Sequence, residues 1–378
     1  MSKPQTFESL SPAIWRASTV VFRSLDEFTQ RKERLYDGFT YGTTGTPTSR
    51  ELERAIAELE GAAHCVVAPS GQAASCLTLL ALLKQGDHIL IPDAVYGPTR
   101  VFATTRLAAL GVETEIYDPA LGAGISELIR ANTKVIWLES PGTVTMEMQD
   151  VPAIVAAAKA RGVVTVMDNT WATPINFAPL AHGVDISIEA ATKFFSGHSD
   201  VLLGSISTQS GPLYRKLREL QSVMGQAVSA EDCFLVLRGL QTLRVRLQAQ
   251  SESAVQIAAW LSTQTLVKQM FFPALPTDAG YALWKRDFAG SGCLMSLVLQ
   301  PAPIDAARAF FSDFSQFAIG ASWGGVHSLA AYYPAAEQEK RLFPRTLEPV
   351  LRLSIGLEPV QLLINDISDA LVRYQQHV

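Results

Sequence analysis

The chain reads as an α/β protein: a doubly wound, mostly parallel sheet with an N-terminal arm before it and a smaller α+β C-terminal domain after it. Three observations predict this. From His64 to Ser210, short β-branched apolar runs alternate with helical patterns, the signature of βα units feeding one parallel sheet. The 378 residues, 48% hydrophobic and 18% charged, supply enough apolar surface for a large core and two domains. Two of the runs, GVVTVMDNT (162–170) and DISIEAATKFFSGHSD (185–200), end in polar residues, as strands do where they open into a crevice at the carboxyl edge of a sheet.

Taken in order, residues 1–46 carry Pro4, Pro12, Gly38, Gly42 and Gly45 with no sustained apolar period, which predicts an extended arm ending in turns. Its FTYGTTGTPT segment, with Tyr41, suits a site between subunits. From Thr48, SRELERAIAELEGA places Leu52, Ala55, Ile56 and Leu59 at helical spacing and closes on Gly61. HCVVAPSGQAASCLTLLALLKQGDHILIPD then predicts strand, Ser-Gly turn, helix and strand. Gly71 and Gln72 stand where that helix begins, so their N–H groups, at the positive end of the helix dipole, suit a phosphate as well as a plain tight turn. Tyr96 follows the strand HILIPD, where an aromatic ring either stacks on a flat cofactor or covers the edge of the core.

The alternation continues with TRVFATTRLAALG as helix, VETEIYD as strand, and KVIWLESPG and GVVTVMDNT as strands around the helix VPAIVAAAKARG. After Lys193, VLLGSISTQS predicts one more strand, and a long helical tract runs from GPLYRKLREL to the WLS ending at Ser262. A boundary near Gly239 divides the chain into an arm (1–46), a cofactor-binding domain (47–238) and a C-terminal domain (239–378). GCLMSLVLQ and VLRLSIGLE are strands of the last. Arg352 alternates with Leu351 and Leu353, so it stands on one strand face, either as an ion-pair partner or as a ligand clamp.

Composition excludes several classes. A formal charge of −5 and a pI near 5.7 leave no polyanion-binding surface, so no nucleic-acid partner is expected. Cysteines 65, 76, 233 and 293 show no CxxC spacing and the six histidines form no HxxxH pair, which argues against structural zinc, a bound metal or a disulfide framework. The opening MSKPQTFESLSPAIW has no apolar core of a leader, and no run of about 18 apolar residues occurs. A cytoplasmic protein without a membrane partner is expected.

The chemistry centres on Asp168 and Lys193, which end neighbouring strands and face one crevice. They are either a structural ion pair or the amine and carboxylate that pyridoxal 5'-phosphate (PLP) needs. In the second case the lysine forms a Schiff base with the cofactor aldehyde, and the carboxylate keeps the ring nitrogen protonated. Ordered motifs over nearly the whole chain favour the cofactor: YGTTGTPT (41–48), ELEGA (58–62), PSGQAA (69–74), VYGPT (95–99), LESPGTVTMEMQDVPAI (138–154), MDNTWATP (167–174), AATKFFSGHSD (190–200), SWGG (322–325) and RLSIGLE (352–358). With them the chain resembles the PLP enzymes of cysteine and methionine metabolism, in their carbon–sulfur β-lyase branch.

That resemblance implies an aminotransferase-like PLP fold of type I and a homotetramer acting on a small amino-acid substrate. It implies β-elimination of cystathionine to homocysteine, pyruvate and ammonia, a step of methionine biosynthesis. It further implies that Lys193 carries the cofactor and moves protons, that Asp168 pairs with the ring nitrogen, and that Tyr96 stacks on the ring. Gly71, Gln72 and Thr192 bind phosphate, joined by Tyr41 of a neighbouring subunit; Arg352 holds the substrate α-carboxylate, with Ser322 and Trp323 beside the substrate. Two positions depart from the family pattern. Thr43 stands where a phosphate-binding arginine is usual, and Ala190 where a serine is usual. Alternatives on the same scaffold are γ-elimination or γ-replacement, alanine racemisation and cysteine desulfhydration; a non-catalytic PLP binder is the alternative from another class.

Overall fold

The structure is a computed structural model that describes residues 9–378. Seven strands build the larger sheet: β1 (His64–Ala68), β2 (His88–Pro92), β3 (Glu113–Tyr117), β4 (Thr133–Glu139), β5 (Val164–Asp168), β6 (Ile186–Glu189) and β7 (Gly204–Thr208). They lie in the order β1-β7-β6-β5-β4-β2-β3, and only β7 runs antiparallel to its neighbours. Five strands build the smaller sheet: β8 (Val267–Phe271), β9 (Leu294–Leu299), β10 (Ala318–Ile319), β11 (Leu329–Tyr333) and β12 (Val350–Ser354), in the order β10-β11-β12-β9-β8.

Alternation along the strands sorts the core into two layers. Val166 of β5, Ile186 and Ile188 of β6, and Val135 and Trp137 of β4 join one buried cluster; Met167, Ile136 and Leu138 join the other. Both faces of the sheet are therefore covered, as a sheet reached by βα crossovers requires. The helix Pro47–Glu60 covers one face and ends where expected, with Gly61 in the left-handed region at φ 62°. Gly71–Leu82 covers the other, capped by Ser70, whose Oγ accepts from Ala73 N at 3.0 Å.

Two expectations need revision. The helical tract after β7 is three helices, Gly211–Met224, Ala230–Leu240 and Leu243–Leu261. The first ends at Gly225 (φ 64°), and the second stops at Gln241 and Thr242. The arm from residue 9 is not uniformly extended: Ser24 caps a short helix, Leu25–Thr29, and single helical turns follow at Arg31–Leu35 and Gly42–Thr44. The first eight residues of the predicted arm lie outside the described residues. Of the arm's apolar side chains, Leu10, Trp15, Val21 and Leu25 are exposed.

A buried ionic knot joins the base of the arm to the body. Arg50 reaches Glu53 (2.9 Å) and the carbonyls of Leu35, Gly38 and Thr44; Arg218, fully buried, reaches the same Glu53 at 2.7 Å; and Val67 N on β1 donates to Glu53 at 3.2 Å. One carboxylate thus compensates two guanidinium groups away from water. Glu53→Ala is expected to lower stability by about 3 to 5 kcal/mol, because it strands a buried charge. Glu51→Ala, which removes only a surface pair with Arg54, is expected to cost under about 0.5 kcal/mol. Parallel denaturant titrations check this, and equal shifts of the two midpoints would contradict it.

Candidate active site

β4, β5 and β6 end side by side on acids: Glu139, Asp168 and Glu189. Parallel pairing sets Glu139 level with Asp168 and Asp168 level with Ile188. Glu139 and Asp168 therefore share one face, and Glu189 points to the other. Thr170, just past β5, holds Asp168 Oδ1 through its backbone N (3.1 Å) and its hydroxyl (2.6 Å), and its Oγ1 also accepts from Ala190 N at 2.9 Å. This stitches the end of β5 to the turn that carries Lys193. Burial pushes the Asp168 carboxyl up from the ordinary aspartate range, while Thr170 and the Lys193 charge pull it back.

Lys193 lies in the turn after β6, with its own N bonded to Ala190 O. Its Nζ donates to Ser322 Oγ at 2.7 Å and lies 5.5 Å from the centroid of the Trp323 indole. Burial, and then the positive charge of Arg352, bring the amine down to about 8, against the opposing pull of Asp168. The smaller domain thus delivers Ser322 and Trp323 directly to the lysine. The delivery depends on Gly324, at φ 79°: a Cβ there would meet Phe194 N at 3.2 Å and Lys193 Cβ at 3.3 Å. The indole packs edge-on against Phe194 at 5.6 Å. Trp171, by contrast, is buried against Phe288 in the core.

Arg352 on β12 is buried, donates from Nη2 to Ala321 O at 2.6 Å and lies 5.2 Å from the centroid of the Tyr333 ring. Among the described residues it pairs with no carboxylate, so the ion-pair alternative finds no partner. A buried guanidinium left with a carbonyl and a ring has donors to spare for an anion. Tyr96 is about half exposed, and the charges of Asp168, Glu139 and Arg352 all reach its hydroxyl. Burial and the two acids raise that hydroxyl above the ordinary tyrosine value, so it stays protonated.

Gly71 and Gln72 are the first two residues of their helix, where no intrahelical acceptor exists for the N–H groups. A Cβ on Gly71 would lie 2.6 Å from the Ala190 Cβ, so the cradle and the lysine turn are in contact only because both residues are small. The Thr192 hydroxyl exchanges hydrogen bonds with Leu203 N (3.0 Å) and Leu203 O (3.2 Å). Arg50, a candidate to replace the arginine absent at Thr43, is engaged in the ionic knot. Tyr41 makes no hydrogen bond to Lys193, Asp168 or Arg352 among the described residues. Its ring is half exposed on the turn Gly42–Thr44, which packs against the helix Gly211–Met224. Sequence reasoning missed Glu139, whose Oε2 accepts from Tyr96 N at 2.8 Å and whose Oε1 accepts from Thr143 Oγ1 at 2.6 Å. Its place at the carboxyl end of β4 was the available signal.

The residues present fit PLP on the structure's own terms: an amine beside a half-buried carboxylate, N–H groups without an intrahelical acceptor at a helix start, a close glycine–alanine contact, and a buried guanidinium with no carboxylate partner among the described residues. A doubly wound sheet carrying this site defines a PLP-dependent enzyme. Residues 1–372 match the profile of the family described as Cys/Met metabolism PLP-dependent enzyme, and the chain belongs to that family. It is 41% identical to a cystathionine beta-lyase of Salmonella typhimurium over 98% of this chain and 96% of that one. It is 34% identical to an L-alanine/L-glutamate racemase of Wolbachia pipientis over 97% and 93%. A crystal structure of cystathionine gamma synthase from Xanthomonas oryzae, in complex with aminoacrylate and cysteine, superposes with a TM-score of 0.91 at 30% identity, covering 99% of this chain and 96% of that one. No helix among the described residues is long and apolar enough to cross a membrane.

The position of Lys193 fixes a pH dependence. With the amine lowered to about 8, its reactive neutral form is scarce below that pH and dominant above it. The rate at which the apoprotein captures added PLP is therefore expected to rise about tenfold per pH unit up to 7 and to level off above about 8.5. Stopped-flow absorbance checks this. A rate still climbing towards pH 10, as for an ordinary lysine, would contradict the assignment, and Lys193→Ala is expected to lose the covalent phase.

Proposed function

We propose that this enzyme is a carbon–sulfur β-lyase that cleaves L-cystathionine to homocysteine, pyruvate and ammonia. The observation that carries the reading is the Lys193–Ser322 contact with the Trp323 indole beside it. When bound, PLP supplies an electron sink for the charge released at the substrate α-carbon. Asp168 would hold the ring nitrogen, Tyr96 would lie on the ring face, and Gly71, Gln72 and Thr192 would take the phosphate. Arg352 would grip the α-carboxylate as a planar, two-pronged donor. Lys193 Nζ, aimed by Ser322, would remove the α-proton. The bond from Cβ to sulfur then breaks with its electron pair on sulfur, the thiolate takes up a proton to leave as homocysteine, and the released enamine hydrolyses to pyruvate and ammonia.

The indole favours β- over γ-elimination sterically. The γ reaction needs a second proton removed from Cβ, and so needs Lys193 and the side chain to move relative to each other. A rigid ring packed on Phe194 next to Nζ restricts that movement. Tyr41 would act from a neighbouring subunit of a homotetramer. The half-exposed Tyr41 ring supports this, as do the exposed Leu10, Trp15, Val21 and Leu25 of the arm. The arm (1–46) would then serve assembly, residues 47–238 the cofactor, and 239–378 the substrate.

Incubation of the holoenzyme with L-cystathionine is expected to yield pyruvate and homocysteine, identified by derivatisation and chromatography. Predominant 2-oxobutyrate and cysteine would replace this reading with the γ reaction, and fast exchange of the α-proton of alanine without keto acid would replace it with racemisation. Arg352→Ala is expected to lower kcat/KM by about 2 to 5 kcal/mol equivalent, and an unchanged kcat/KM would remove Arg352 from the site. Mixed oligomers of inactive Tyr41→Ala and Lys193→Ala subunits are expected to regain activity through hybrid sites; a fully active monomer would exclude the shared site.

A further inference from the structure

Tyr96 lies four residues beyond the end of β2, so the sheet ladder does not place it. The segment between them is pinned step by step. Asp93 N donates to Tyr117 O (2.9 Å), Val95 N to Pro92 O (3.1 Å), and Thr143 N to Ala94 O (2.8 Å). The last pin before the ring is the Tyr96 N–H itself, which donates to Glu139 Oε2 at 2.8 Å. Glu139 is in turn held from both sides: its own N donates to Gln149 Oε1 (2.9 Å), and Thr143 Oγ1 donates to its Oε1 (2.6 Å). The turn that brings Thr143 there is itself strained, with Val144 at φ 71° and Met146 at φ 54°. It is clamped from the smaller domain by Arg345, which donates to Thr145 O at 2.8 Å, and by Arg341, which pairs with Glu147 at 2.7 Å.

We propose that Glu139 is a positioning residue for the cofactor: acting through the Tyr96 backbone, it fixes the ring on which the pyridoxal ring stacks, with Thr143 holding the carboxyl in place. Burial and then the neighbouring Asp168 push Glu139 up to about 8. Raised in this way, it carries less negative charge beside Asp168 than an ordinary glutamate would, while Oε2 accepts the Tyr96 N–H. The side chain anchors without competing for the ring nitrogen. This rests on the reading that Tyr96 stacks on the cofactor.

The test reads PLP affinity, by titration of apoprotein, and the visible circular dichroism of the bound cofactor, which reports the asymmetry of its surroundings. Glu139→Ala is expected to weaken PLP binding about tenfold and to reduce the dichroic band, because it unpins Tyr96. Glu139→Gln, which keeps an acceptor oxygen, is expected to stay within about threefold of wild type. In a Tyr96→Ala background, Glu139→Ala is expected to add less than about twofold, since effects relayed through one ring are not additive. An equal loss in both backgrounds, or a Glu139→Ala protein with unchanged affinity and dichroism, would overturn the proposal. Thr143→Val covers a Glu139→Ala protein that fails to fold: a loss of about twofold to fivefold is expected when Tyr96 is present and none when it is absent, and the same loss in both overturns it. Tyr96→Ala without effect would sink the stacking reading and this one together. An effect of Tyr96→Ala that neither Glu139→Ala nor Thr143→Val reproduces sinks this one alone.

Discussion

Burial of acids at the carboxyl edge of the central sheet is the constraint on which the site depends. Glu139 and Glu189 are taken out of water there, Asp168 is partly buried between them, and Glu60 is buried behind, accepting from the Ser187 hydroxyl at 3.1 Å. A buried carboxylate without a partner costs several kcal/mol, so such groups either neutralise or find a cation. Burial pushes Glu139 and Glu60 up to about 8, and Glu189, facing Glu60, well above the ordinary glutamate range. Asp168 differs from them in facing a lysine; like Glu139 it also accepts two hydrogen bonds, both from Thr170. Charge at this edge is thus favoured opposite the amine, the place that the proposed reading gives to the pyridinium nitrogen.

The same low-dielectric setting explains why two domains are needed. A lysine in water is nearly always protonated at neutral pH and is a poor nucleophile; here burial lowers it, and Arg352 from the smaller sheet lowers it further. Arg352 stays buried with no carboxylate beside it among the described residues, which on the proposed reading leaves it free for an anionic substrate group. Ser322 and Trp323 come from the same domain, on a turn that only a glycine at position 324 allows to approach the lysine so closely. The larger sheet supplies the acid and the smaller one tunes and aims the base, so neither makes the site alone.

Much of this was legible in the sequence because parallel strands advertise themselves. MDNT and AATK follow uninterrupted apolar runs, and strand ends of that kind open on one crevice, so Asp168 and Lys193 could be paired from spacing and strand order. Gly71, Gln72 and Arg352 were legible as positions, though their surroundings were not: the contact of Gly71 with Ala190, and the lack of a counter-ion at Arg352, are tertiary facts. Glu139 was hidden because KVIWLE reads as one buried strand, and nothing local marks its last residue as an anchor for Tyr96, which stands 43 positions earlier. The arm misled in a different way. Pro and Gly spacing indicated extended chain, whereas the Ser24 cap, whose Oγ accepts from Glu27 N at 3.2 Å, is a local signal strong enough to close a short helix.

β-Elimination, γ-replacement and racemisation of amino acids on PLP all begin with loss of an α-proton, and on the proposed reading the lysine, the aspartate and the carboxylate clamp would serve that step in this chain. Those residues cannot decide what happens next, since every one of these reactions begins in the same way. The decision lies in what surrounds Cβ and in where the lysine can travel after the first transfer. Ser322 holds Nζ at 2.7 Å, and the indole, braced by Phe194, lies 5.5 Å from it. On the proposed reading, an amine held in that way would suit the transfer of a single proton better than a second transfer further along the side chain. With a thiol leaving group at Cβ, one proton is all that elimination requires.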